Sequence, residues 1–153
     1  MAHQRATETL HYHVTVTRQD DAHARAETRG HALTLNIKKG DGAAGLNAAE
    51  TLLAALGACL LTNVNTFAAK MRLRVGAARI EFDAVRREEP AGLTQIDYRL
   101  ILDSPEPLAK LEKLHQLSVE WGTVSNTLIG GIRPNGVVVV ERTTLGSEAH
   151  HGV

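Results

Sequence analysis

The chain holds a single cysteine, Cys59, among its 153 residues. No intrachain disulfide can form, which suits a reducing compartment. Aromatic residues make up only 3%, so any pocket is expected to be walled by aliphatic side chains. Net charge is also lacking, since seventeen basic residues balance seventeen acidic ones. That balance gives no electrostatic case for nucleic acid or an anionic membrane as a partner. No apolar run approaches the ~20 residues of a membrane span, and the opening "MAHQRATETL" has no apolar signal region. These absences predict a soluble, cytoplasmic protein. What is present is a chain 43% hydrophobic, enough for one domain over 1–153 with a core of about 8–142 and frayed ends.

Periodicity divides the chain. In "LHYHVTVT" (10–17), Leu10, Tyr12, Val14 and Val16 alternate with polar residues, the pattern of a half-buried strand. "AHARAETR" (22–29) and "HALTLNIK" (31–38) read as a hairpin around Gly30, with Leu33, Leu35 and Ile37 alternating with Thr34, Asn36 and Lys38. From Ala48 to Met71 the period lengthens. Leu52, Leu56, Leu60, Val64, Phe67 and Met71 recur at helical steps, with Asn47 and Glu50 spaced as a capping box. Segments 73–88 and 93–104 read as two strands joined at Glu89–Gly92, and 104–121 as a helix with Leu108, Leu111, Leu114 and Leu117 on one side. "TVSNTLI" is a short helical piece, "GGIRPNG" a turn and "VVVVERT" a last strand. Strands, helix, strands and helices in that order predict an α+β fold.

Residues 40–45, "GDGAAG", match the dinucleotide fingerprint letter for letter. The surroundings do not. The preceding strand carries Thr34, Asn36 and Lys38 on one side instead of being apolar on both. The best helix cap, Asn47, lies beyond the last glycine, and no acidic residue stands in 60–70 where the ribose partner belongs. The stretch is better read as a loop feeding a helix. No cofactor is expected.

Cys59 lies about 20° from Leu52 on a helical wheel, on or beside the apolar face. A cysteine there is either a small core residue or a nucleophile. It stands too far into the helix for the N-terminal dipole to reach, so activation needs a nearby cation. Glu50 falls on the opposite side of the same helix, ~13 Å away along the axis. It is either a cap or, through a bend or a second subunit, part of a site. His11 and His13 share a strand face, and His150 and His151 follow in the tail, but no third ligand stands at metal-binding spacing. Ser125 lies in no nucleophile elbow and reads as a polar residue of a helix start.

"GLNAAETLLAALGACL" (45–60) resembles the central helix of the OsmC/Ohr family of osmotically induced and organic hydroperoxide resistance proteins. That family usually reads N-P-x-E-x-L-x-A-A-x-x-x-C there, give or take one place for the Glu. "VSNTLIGGIRPNGVVVV" (124–140) resembles the family's C-P-V-S-N-T-L motif and the strand after it, and "RGHALTLN" (29–36) the strand before the glycine loop. The resemblance covers about residues 8–142. It implies an α+β fold in an intertwined homodimer, with sheets wrapped around long central helices and sites at the interface. It also implies a thiol peroxidase acting on organic hydroperoxides.

On that resemblance, Cys59 is the peroxidatic position. Glu50 matches the Glu of some members, whereas Ala49 holds that of others. Arg29 is the first choice for the activating Arg, ahead of Arg25 and Arg18. Leu53, Leu56, Trp121, Gly122 and Leu128 are candidate pocket walls. The sequence departs from the pattern at Ala48 and Thr123, where Pro is usual, and at Gly122, where the family has its resolving Cys. An oxidised Cys59 would then depend on an external thiol. Two other functions fit the same residues: a degenerate dimer that binds a small apolar or thiol-bearing ligand, and a redox sensor.

Overall fold

The computed structural model describes residues 9–132 and 135–142. The expected fraying of 1–7 and 146–153, and the His150–His151 pair, lie outside them. Contacts divide the chain into two compact units, Met1–Thr51 and Leu52–Val153.

The first unit is a three-stranded antiparallel sheet, β1 (Thr15–Arg18), β2 (His23–Thr28) and β3 (His31–Asn36), in that order. Arg29 and Gly30 form the predicted hairpin turn, both with left-handed φ, 49° and 79°. Two such residues twist the chain in the sense that the strands need. Val16, Ala26 and Leu33 face one another across the sheet. Val16 and Leu33 are nonetheless exposed, as are Leu10, Tyr12 and Val14. The expected strand over 10–17 is therefore corrected at its start, since residues 10–14 carry no ladder and β1 is open to solvent on both sides.

Asn36, expected on the polar face, is buried and organises the glycine loop. Its Nδ2 donates to the carbonyls of Asp41 and Gly45, its Oδ1 accepts from Lys38 N, and its backbone N–H donates to Leu46 O. Asp41 caps a 3-10 turn, Gly42–Ala44, by accepting from Ala43 N at 3.0 Å. Side chains thus hold "GDGAAG" as the approach to the next helix.

That helix, α1 (Ala48–Met71), carries the predicted capping box. Glu50 N donates to Asn47 Oδ1 at 3.0 Å and Asn47 N to Glu50 Oε2 at 2.9 Å. It ends in a Schellman motif with Arg72 in the left-handed position, φ 55°. Leu73 N bonds Ala68 O, and Arg72 N bonds Ala69 O. The expectation that no apolar run reaches membrane length is corrected here. By length and composition α1 could span one, at 24 residues and mean hydropathy 1.6. Its Leu56, Leu60, Val64 and Ala68 face is instead packed into a core.

In the second unit, β4 (Ala78–Arg87), β5 (Gly92–Asp103) and β6 (Asn135–Glu141) form a sheet in chain order. β4 and β5 pair antiparallel, whereas β5 and β6 run parallel. A parallel pair needs a crossover, supplied here by α2 (Leu108–Glu120) and α3 (Thr123–Leu128). Ile96, Tyr98, Leu100 and Leu102 of β5 meet the α1 face, with Leu111 and Leu114 of α2. The predicted apolar faces shift slightly. Leu53 packs against the core while Leu52 is exposed, and Ser118 is buried while Leu108 is exposed. Gly57 lets α1 approach the sheet, because a Cβ there would lie 3.1 Å from the Phe82 ring.

Candidate functional site

Cys59 is a free thiol at intermediate exposure, midway along α1. Asn63 follows it by four residues, so the two share a helical face about one turn apart. Asn63 Nδ2 donates to Ser118 O in the last turn of α2, at 2.9 Å. This bond ties α1 to that turn at Asn63. Just beyond it the chain bends into α3. Gly122 N donates to Val119 O, Asn126 N to Gly122 O, and Asn126 Nδ2 to Glu120 O at 3.0 Å.

Gly122 itself is closely packed. Gly122 is buried, and a Cβ added to it would lie 2.7 Å from Ser125 Oγ and 3.2 Å from Ser118 O. Glycine is there because a neighbouring hydroxyl already fills the volume. Ser125 is itself buried, 1% exposed, and its Oγ finds no hydrogen-bond partner among the described residues. Buried polar groups are usually satisfied, so this hydroxyl is exceptional. Nothing in the residue order signals it, since the three-residue spacing to Gly122 acquires meaning only when α3 is formed.

Glu50 is engaged in the capping box. Replacing it with alanine is expected to cost about 1 kcal/mol, a fall of about 2–4 °C in melting temperature for a chain of this size. A thermal melt of Glu50→Ala beside Asn47→Ala checks this, with similar losses expected from either half of the box. Arg29 occupies the hairpin turn of the first unit, beside a groove shared with His11, His13 and Glu27. Arg25 is paired with Glu27 at 2.9 Å and Arg18 with Asp21. Arg29 is in no ion pair among the described residues. Leu56 is completely buried in the core, Leu53 and Leu128 pack against it, and Trp121 is 65% exposed.

A second polar feature was not anticipated. Tyr98 Oη and His115 Nε2 lie 2.6 Å apart, and both residues line a cleft of about 710 Å³ between α2, α3 and the start of β6. Val119, Glu120, Ser125 and Ile129 also line it. Burial pushes the Tyr98 hydroxyl up to about 12 and pulls the His115 imidazole below its usual value. Both are therefore neutral near pH 7. An imidazole whose pKa is lowered by folding takes up its proton more readily in the unfolded chain. The stabilising preference for the neutral form is complete above the unfolded value near 6.5 and is lost as pH falls from there toward the folded value. Melting temperature is expected to drop between pH 7 and pH 5, and His115→Gln to flatten that slope.

A model of the family described as "OsmC-like protein" matches residues 38–135 of this sequence, more than half of the chain. A search of the curated proteins finds no match. Among solved structures, an OsmC like protein from Mycoplasma pneumoniae is similar at a TM-score of 0.80 and 20% identity, over 87% of this chain and 99% of that one. An organic hydroperoxide resistance protein from Elizabethkingia anophelis gives 0.68 at 15% identity, over 88% and 100%. The organic hydroperoxide resistance protein OhrB of Bacillus subtilis gives 0.61 at 16%, over 85% and 98%. At such identities these likenesses establish the fold, an α+β arrangement with two small sheets, and no more.

Proposed function

The chain belongs to the OsmC-like family, and from this premise we propose that it is a one-cysteine thiol peroxidase that reduces organic hydroperoxides. The observation that carries the reading is Cys59, a free and partly accessible thiol on the long helix of this fold. Two of the similar structures are named organic hydroperoxide resistance proteins, which supports the substrate class. In the reaction, Cys59 Sγ attacks the terminal peroxide oxygen. The S–O bond forms, the O–O bond breaks, the alcohol leaves after protonation, and Cys59 becomes a sulfenic acid. Arg29 is the proposed cation for this step. Glu50 is its proposed partner, acting through a carboxylate that also closes the helix cap.

The assembly proposed is a homodimer. Val16 and Leu33 share an exposed face, with further exposed apolar side chains at Val14 and Ile37, and burying them on a second copy would remove them from water. The reductant is an external thiol, because Gly122 offers no second sulfur, and the cytoplasm is the proposed setting. Reduced protein treated with cumene hydroperoxide and then dimedone is expected to carry a stoichiometric adduct on Cys59 by mass spectrometry. An unmodified Cys59 would instead mark a dimer that only binds a small apolar or thiol-bearing ligand. A slow adduct with no turnover would mark a sensor.

A further inference from the structure

The cleft between α2, α3 and the start of β6 is lined by residues of the second unit, and Cys59 is not among them. Its volume of about 710 Å³ is that of a small-molecule site. Val119 and Ile129 supply apolar wall, while Tyr98, His115, Glu120 and Ser125 supply polar groups. Two of these satisfy each other, since Tyr98 Oη and His115 Nε2 are 2.6 Å apart. The other two are unpaired. Ser125 is 1% exposed, yet its Oγ has no hydrogen-bond partner among the described residues. A buried hydroxyl without a partner destabilises the fold, and a ligand that supplies the partner recovers that loss. Glu120 is exposed, and its carboxylate is in no ion pair among the described residues.

The charge of the wall points one way. Glu120 is the last residue of α2, at the negative end of the helix dipole, and the last turn holds no basic residue. Tyr98 and His115 are neutral near pH 7, because burial disfavours the charged form of each. Lys113 Nζ donates to Gln116 Oε1 at 3.2 Å, but Lys113 does not itself line the cleft. The described wall therefore carries one negative charge and no positive one. We infer that this cleft binds a small organic ammonium ion with an apolar body and a hydroxyl or carbonyl group. The ammonium pairs with Glu120, the body lies against Val119 and Ile129, and the polar group meets the Ser125 hydroxyl. The site is separate from the peroxidase reading and needs no reaction at Cys59.

The test compares three probes that share a 4-hydroxyphenyl body: tyramine, which is cationic, tyrosol, which is neutral, and 4-hydroxyphenylacetate, which is anionic. Each is titrated into the full chain labelled with nitrogen-15, and backbone amide shifts are followed. Tyramine is expected to saturate with a dissociation constant of ~1 mM or tighter, with its shifts centred on residues 115–129. Tyrosol is expected to bind about threefold to fivefold more weakly, the worth of one exposed ion pair, and 4-hydroxyphenylacetate more weakly still. Glu120→Gln is expected to abolish the preference for tyramine over tyrosol and leave tyrosol unchanged. Ser125→Ala is expected to weaken both by about fivefold. Glu120 is exposed, so its variant remains informative if Ser125→Ala disturbs the turn. The absence of saturable shifts over 115–129 overturns the site. Binding of 4-hydroxyphenylacetate as tight as that of tyramine, or an undiminished tyramine preference in Glu120→Gln, overturns the ligand class. None of these measurements involves peroxide, so this inference and the peroxidase reading fail independently.

Discussion

Replacing Cys59 with serine is expected to reduce alkyl hydroperoxide turnover to the uncatalysed rate, a loss of about a thousandfold or more. A thiolate is a polarizable nucleophile available near neutral pH, whereas an alcohol ionises far above it and attacks a peroxide oxygen poorly. The substitution removes the one sulfur in this chain able to cycle through a sulfenic acid, since the thioethers of its two methionines form sulfoxides instead. Shape is nearly conserved and Cys59 is only partly buried, so the fold is expected to tolerate the change. Turnover measured by peroxide consumption with excess 2-mercaptoethanol, beside a thermal melt, separates loss of chemistry from loss of structure. Activity equal to that of the unsubstituted protein would remove Cys59 from the mechanism.

Gly136→Ala is expected to be the most damaging single-methyl change in the second unit. Gly136 is paired with Tyr98 across the parallel β5–β6 ladder. A Cβ at 136 would fall 2.0 Å from Tyr98 Cζ, with two further ring atoms within 2.4 Å. The ring cannot easily yield. Tyr98 is buried, its centroid lies 5.6 Å from that of Phe82, and its hydroxyl is 2.6 Å from His115 Nε2. Either the strand pair or the tyrosine cluster must open. The expected loss is roughly 3 kcal/mol, which corresponds to a fall of about 6–12 °C in melting temperature. Shrinking the obstacle tests the cause. In a Tyr98→Leu background the same glycine substitution is expected to cost less than about 1 kcal/mol, a coupling that a double-mutant cycle measures directly. Equal losses in the two backgrounds would show that the ring is not what excludes a side chain.

This glycine also shows where reading from the chain alone ran out. "GGIRPNG" has the composition of a turn, yet Asn135 and Gly136 already belong to β6. Gly136 is needed for a close approach to a residue 38 positions earlier, which no local pattern encodes. Gly122 was legible only as a missing sulfur. The volume its side chain would occupy is filled by Ser125, and that follows from how α3 leaves α2. Asn36 looked like one more polar residue on an alternating strand, but it is buried because it satisfies the backbone of the loop that the strand runs into.

The sequence by itself determined the elements whose causes are local. The Arg29–Gly30 hairpin, the Asn47–Glu50 capping box, the long helix carrying Cys59, the short helix at Thr123 and the α+β class all follow from periodicity, turn chemistry and spacing within a few residues. It also carried the family motifs on which the proposed function rests. Tertiary structure decided the rest: the parallel β5–β6 pair, the packing of Leu53 against the core in place of Leu52, the neutral Tyr98–His115 contact and the unsatisfied Ser125 hydroxyl beside Gly122. Each depends on residues far apart in the chain meeting at van der Waals or hydrogen-bond distance. Such meetings are set by how elements pack, and side-chain period along one element carries no record of them.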